Sequence, residues 1–294
     1  MAYIILDLEW NGAFSKKAHG YFNEIIEIGA VKLDAQMHPV SRFGVVICPT
    51  VSRKLTKWVT GLTNITDETL RDGLSFEGAM ASLEAYIGKE PATLLTWSNT
   101  DLLVLLENFR FFTGEESISF MEAYVDVQRY FQQQTGQGTA QQVSLTKACE
   151  LLGIDGEDMA AHRAPDDCVL TARVLQKVYK PETFAAAVRP ADAEFYGRLN
   201  FRPEVLCDLS DPRIHPSHLK FRCAACGRSL KRTGEWKRHN FAFFAPFRCR
   251  VCRADYTGRV QFKTTYDGLS VKKKLVPNPA EEPENIQTEC GNNG

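Results

Sequence analysis

The sequence predicts an α/β domain on a mixed sheet, followed by a small module built around cysteines. Three observations carry this reading. Strand-like segments crowd the start of the chain, helical patterns follow between residues 76 and 178, and two Cys-x-x-Cys pairs stand 22 residues apart between Cys223 and Cys252. With 294 residues, 44% of them hydrophobic, the chain can bury one substantial core and still carry an accessory module.

Residues 1–10 read as a buried strand. Glu24–Leu33 (EIIEIGAVKL) reads as a second, rich in β-branched residues, and Phe43–Cys48 (FGVVIC) as a third. The short intervals between them imply an antiparallel opening to the sheet. Helical spacing then runs through Phe76–Ile87, Leu102–Phe112, Leu145–Leu152 and Val169–Val178, with a short strand at Thr93–Trp97. Strands first and helices later describe an α/β domain over residues 1–182. Residues 183–217 are mixed and broken by prolines, and read as a linker. The cysteine module occupies 218–265, and 275–294 reads as a disordered acidic tail too poor in apolar residues to build a core.

The net charge of −1 conceals an asymmetry. Residues 1–212 hold 19 basic and 29 acidic side chains, residues 213–274 hold 16 and 3, and the last twenty hold none and 4, giving −10, +13 and −4. A basic module on an acidic body points to a polyanionic partner, most simply nucleic acid. The opening Met1-Ala2-Tyr3-Ile4-Ile5-Leu6-Asp7 has no basic stretch, and no apolar run reaches the ~18 residues of a span. A soluble, cytoplasmic protein with no membrane contact is therefore expected. Besides the two pairs, Cys48, Cys149, Cys168, Cys207 and Cys290 are scattered without a disulfide-like rhythm, as a reducing compartment allows.

Asp7 and Glu9 stand two apart on the first strand, so both side chains leave one face of the sheet while Leu6 and Leu8 leave the other. Two acids on an apolar strand are expensive to bury unless a cation neutralises them. Alone, the pair fits a solvated strand edge more readily. Asp101 follows a strand and a cap at Asn99 or Thr100, and falls in the first turn of a helix. Alone, it reads as a favourable charge at a helix start. In His162-Arg163-Ala164-Pro165-Asp166-Asp167, Pro165 suits the first helical position, which puts His162 on the preceding loop and Asp167 in the first turn. A loop position lets the histidine lean over the same site as the aspartate.

D-x-E on the first strand, a lone Asp opening a later helix, and H-x4-D near the domain end resemble the DEDDh exonuclease superfamily, whose fold is RNase H-like. EIIEIGAVKLD (Glu24–Asp34), KLTKWVTGLTNIT (Lys54–Thr66), LLTWSNTDLLVL (Leu94–Leu105), QVSLTKACELLGI (Gln142–Ile154) and HRAPDDCVLTARVL (His162–Leu175) carry the style of its KapD-like and Eri-like branch. The histidine separates the chain from the variant that would need Tyr where Arg163 stands. Trp10 and Asn11 depart from the small or Thr-containing residues that often follow D-x-E, and Pro165 and Cys168 depart from HRALDDA.

The resemblance implies metal-dependent 3′–5′ hydrolysis of phosphodiesters. Asp7, Glu9 and Asp167 would coordinate two divalent cations, Asp101 would act mainly through a bound water, and His162 would be the general base. Hard oxygen donors suit Mg²⁺ or Mn²⁺. Leu62, in Gly61-Leu62-Thr63, matches the family segment that wedges beside the terminal bases. Phe14, Trp58 and Trp97 are candidates for base stacking, as is core or rim packing for each, and Trp10 is a candidate sugar contact. The branch favours single-stranded RNA as partner. A DNA exonuclease or proofreading activity, a catalytically silent nucleic-acid-binding protein and a protein-interaction adaptor stand as alternatives. Family relatives are often dimers, and the chain shows no dimer signature.

Cys223-Ala-Ala-Cys226 and Cys249-Arg-Val-Cys252 have the layout of a Cys₄ zinc ribbon, with Gly227 suited to a tight knuckle turn. The aromatic, strand-like WKRHNFAFFAPFRC between the pairs suits the ribbon's hairpins. His215, His218 and His239 are then left as surface residues. Trp236, Phe241, Phe243, Phe244 and Tyr256 interleave with the basic residues as a nucleic-acid platform would, or as the ribbon's small core would. Lys272-Lys273-Lys274 extends the patch or solubilises its end.

Overall fold

The computed structural model describes residues 2–52, 54–138, 141–155 and 162–278. The chain divides into two units, residues 1–200 and 201–294.

In the first unit, β1 (Ala2–Ser15) and β2 (Gly20–Leu33) form a long antiparallel hairpin, and β3 (Pro39–Val46) pairs on the far side of β2. Helices α1 (Lys57–Thr63), α2 (Asp67–Arg71) and α3 (Phe76–Ile87) lead to β4 (Ala92–Thr96), which lies parallel to β1. Then come α4 (Thr100–Phe112), β5 (Met121–Asp126) parallel to β4, and α5 (Val127–Gln134), α6 (Leu145–Leu152), α7 (Ala164–Val178) and α8 (Pro181–Ala187). A two-residue strand, β6 (Arg189–Pro190), and α9 (Ala193–Asn200) complete the unit, giving the order β3-β2-β1-β4-β5-β6. This is the mixed sheet of an RNase H-like fold.

Strand periodicity divides the core in two. Ile4, Leu6 and Leu8 pack with Leu83, Leu102 and Leu105 of α3 and α4, while Ile5, Val31 and Val125 pack with Phe131 of α5 and Cys168, Ala172 and Leu175 of α7. Asp7 and Glu9 share the parity of Ile5, so they face α7. Helix ends follow their caps: Ser75 and Ser144 accept from the backbone at Gly78 and Lys147, and Gly153 closes α6 in the left-handed region at φ 62°. No helix of the described residues is long and apolar enough to cross a membrane.

In the second unit, β7 (Lys231–Arg232), β8 (Lys237–His239), β9 (Ala242–Arg248), β10 (Asp255–Thr265) and β11 (Gly268–Pro277) form one sheet in the order β11-β10-β9-β7, with β8 also paired to β9. Its inner face, Phe243, Phe247, Tyr256, Val260 and Phe262, packs on Leu206, Ile214, Phe221, Cys223 and Cys249.

The segment boundaries differ from those expected. Residues 183–200 of the expected linker carry most of α8 together with β6 and α9, with Phe184 and Leu199 in the first unit's cores. Residues 201–217 belong to the second unit, where the Leu206 backbone N–H donates to the Phe262 carbonyl at 3.1 Å. The cysteine module does not stop at 265, because β11 pairs with β10 from Gly268 to Pro277 and Leu275 packs on the core. The first residues of the expected tail are therefore strand; 279–294 lie outside the described residues. In each case, tertiary partners supply the burial that the local sequence lacks.

Candidate active site

Three elements bring the acids together. On β1, Asp7 lies opposite Gly29 and Glu9 opposite Glu27 of β2. A Cβ on Gly29 would lie 2.1 Å from the Ala164 carbonyl carbon, so the missing side chain is what lets the start of α7 sit directly over Asp7. Pro165 is seated in the same way, with its Cγ 2.7 Å from where a Cβ on Gly44 of β3 would be. Arg42 of β3 donates to Asp166 at 2.8 Å. Asp167, one turn into α7, meets Asp7 and Glu9 with all three ligand oxygens within 4.8 Å of one another.

Asp101 approaches from the first turn of α4. It is nearly buried, at 6% exposure, and its Oδ1 accepts from the Leu8 backbone N–H at 3.3 Å, between the two acids of β1. It is not a member of the 4.8 Å cluster. His162 is exposed and holds φ at 63° immediately before the Arg163 cap of α7. Its charge lies close enough to Asp167 to favour ionisation of that carboxyl.

Burial and mutual repulsion dominate the electrostatics of the acids, with Arg163 and His162 opposing them at Glu9 and Asp167. Burial, then Asp101, Asp167 and Glu9, push Asp7 well above the carboxylate range. Burial and Asp167 raise Glu9 to about 8. Burial raises Asp101 to about 7, against hydrogen bonds from its own and the Leu8 backbone N–H. Asp167 rises to about 6 through burial, opposed by His162. An oxygen-donor cluster of this kind fits hard divalent cations.

Sequence reading missed three supporting residues. Glu27, 1% exposed, receives the Arg163 Nε at 3.0 Å and the Ala164 N–H at 3.0 Å, with a further contact from the Arg163 guanidinium. It thereby fixes the backbone between His162 and Asp167. Glu24, also buried, accepts the backbone N–H groups of Thr50 (2.6 Å), Val51 (3.0 Å) and Ser52 (2.7 Å). Asn11 donates to the Lys54 carbonyl at 3.1 Å and accepts from the Thr56 N–H at 3.2 Å, so its departure from the family pattern braces the loop that leads to α1. The sequence did hold a signal, these three polar residues within otherwise apolar strand segments, but their partners are distant in the chain.

Leu62 lies half-buried on α1, with Trp58 of the same helix 73% exposed. Trp10 is half-buried against the α4 side of the core, and Phe14 is exposed near the end of β1. Trp97 is committed to packing: its indole N–H donates to the Val143 carbonyl at 3.0 Å and its ring lies 5.9 Å from that of Phe131. Cys168 is buried beneath the acids, with its thiol directed at the Ile5 carbonyl at 3.8 Å and pushed up by burial.

The RNase T family model, described as "Exonuclease", matches residues 4–175. The chain belongs to this exonuclease family. The exonuclease is 27% identical over 197 residues to the probable 3′–5′ exonuclease KapD of Bacillus subtilis (strain 168), covering 64% of this chain and 89% of that protein. Among solved structures, it shares its fold with the nuclease domain of 3′hExo, a DEDDh family member bound to rAMP (TM-score 0.54, 19% identity, 65% of this chain and 96% of that one). It also shares it with cell-death related nuclease 4, CRN-4 (TM-score 0.51, 18% identity, 73% and 71%).

A second cluster lies in the other unit. The sulfurs of Cys223, Cys226, Cys249 and Cys252 all lie within 4.8 Å of one another, with neighbouring pairs at 3.3–3.5 Å. These distances are far beyond the ~2.05 Å of a disulfide and fit a four-thiolate zinc ribbon. A hydrogen bond with the Tyr256 hydroxyl lowers Cys223 to about 6, whereas hydrogen bonds with the other three sulfurs raise Cys252 to about 12.

Proposed function

We propose that this exonuclease shortens single-stranded nucleic acid from its 3′ end, RNA in preference to DNA, with two Mg²⁺ or Mn²⁺ ions held by Asp7, Glu9 and Asp167. The observation that carries this reading is the convergence of those three carboxylates within 4.8 Å. There, burial first and neighbouring carboxylates second raise Asp7 well above the carboxylate range and Glu9 to about 8. Cations bound there would neutralise the scissile phosphate and acidify the attacking water.

The chain's own residues do the rest. Asp101 fixes the β1 backbone at Leu8 and would act on bound cations through water. His162 accepts the proton of the attacking water, and the Glu27–Arg163 pair keeps the turn that carries it against β2. Leu62 packs beside the terminal base and Trp10 beside the sugar. The rAMP held by the 3′hExo nuclease domain, which shares the fold, supports the preference for RNA. In the second unit, the four cysteines hold a structural Zn²⁺ whose binding stabilises the fold of that unit.

The test is degradation of matched 5′-labelled RNA and DNA strands with Mg²⁺ or Mn²⁺, run beside Asp7→Asn. A metal-dependent ladder that shortens from the 3′ end, faster on RNA and absent in the variant, is expected. Strands that persist intact in the presence of either metal would sink the reading, and faster loss of DNA would reverse the substrate preference.

A further inference from the structure

In the second unit, strand parity separates two sets of aromatics that the sequence interleaves. Phe243, Phe247, Tyr256 and Phe262 face the unit's core, and Trp236 packs on Phe247 with centroids 5.7 Å apart. Phe244 lies on the opposite face, half-buried among cations. The register makes this explicit: Lys237 of β8 pairs with Phe244 of β9, Phe244 with Arg259 of β10, and Arg259 with Lys274 of β11. Directly opposed residues share a face, so the four side chains form one row across four strands. The Arg259 guanidinium lies over the Phe244 ring, 6.0 Å from its centroid.

Lys272 and Lys263 extend the row along β11 and β10 with the same parity. Among the described residues, no carboxylate pairs with any of these five cations. The one acid of that face within the strands, Asp255, lies 3.7 Å from Arg248. A sheet face with unpaired cations has two ordinary uses, solvation or a polyanionic partner. Solvation alone gives no reason for an aromatic ring at the centre of the row, because a solvated face gains nothing from a phenylalanine.

We infer that this outward face is a platform for single-stranded nucleic acid, with phosphates on Lys237, Arg259 and Lys274 and a base stacked on Phe244. Charge complementarity selects a polyanion, and the ring selects one that carries aromatic bases. The inference rests on the nucleic-acid reading of the first unit but names a surface beyond the family match, which ends at residue 175.

The experiment measures equilibrium binding of fluorescent polyuridylate to the full chain carrying Asp7→Asn, so that no strand is cut, across a salt series. The triple variant K237Q/R259Q/K274Q should weaken binding at least roughly tenfold and reduce the slope of log affinity against log salt by about 2, at ~0.7 per lost phosphate contact. Phe244→Leu keeps an apolar side chain and should weaken binding about fivefold while leaving the slope unchanged. Unchanged affinity and slope in both variants would overturn the platform. Displacement of the strand by polyglutamate as effective as that by unlabelled polyuridylate would also overturn it, in favour of an acidic protein partner. Degradation assays fail independently: a chain that cuts nothing, yet binds through this face, would lose the exonuclease reading and keep the platform.

Discussion

At the scale of single residues, the acids of the site carry a stability cost that function requires. Asp7, Glu9, Asp101 and Asp167 all have folded-state pKa values raised by burial, to about 8, 7 and 6 for the last three. Between about pH 4 and 8 the folded chain therefore holds protons that the unfolded chain has released, and stability must fall as pH rises through that window. The melting temperature of metal-free protein is expected to decline from pH 5 to pH 8. Mg²⁺ should raise it more at pH 8 than at pH 5, and Asp7→Asn should raise it at pH 8 without metal. Thermal melts at the two pH values check all three. His162 is exposed and contributes little packing, so His162→Ala should lower kcat by roughly 10²–10⁴ and leave strand affinity within about twofold, read by single-turnover kinetics beside equilibrium binding.

At the scale of elements, the site is a joint between β1, β2 and the start of α7, and its tightest point is Gly29. Gly29→Ala would place a methyl group 2.1 Å from the Ala164 carbonyl carbon, which either strand or helix must relieve by moving. A shift of ~1 Å is enough to cost about 10² in rate. Gly29→Ala should therefore lose about that much in kcat while its far-ultraviolet circular dichroism stays unchanged. The Glu27–Arg163 pair acts on the same joint. Glu27→Gln and Arg163→Ala should each lower kcat, and the double variant should lose less than the product of the two, as expected for residues that act as a unit.

At the scale of the whole molecule, the two units draw stability from different sources. The first has large apolar cores on either side of its sheet. The second has one small core and the four-cysteine cluster, and small domains usually need such a staple. Removing zinc with a chelator, or Cys249→Ser, should expose residues 201–278 to protease while the thermal transition of the first unit persists. Limited proteolysis followed by mass spectrometry would check this, and loss of both units together would show that they unfold as one.

Much of this was legible in the chain because it is local. The D-x-E parity on β1, the proline-led start of α7 and the two cysteine pairs are periodicity and spacing, which neighbouring residues determine. Local spacing thus determined the fold class and the cysteine cluster, while the meeting of acids from distant elements was implied only by the family resemblance. Only the tertiary structure decided what depends on distant partners. Glu27 sits 136 positions from Arg163, Glu24 gathers the 50–52 backbone, Trp97 is spent on Val143, and the end of β11, residues 275–277, pairs with β10 where composition suggested a tail. The same holds for the ribbon's aromatics, because a sequence can give a strand's alternation but not which of its two faces the core will cover.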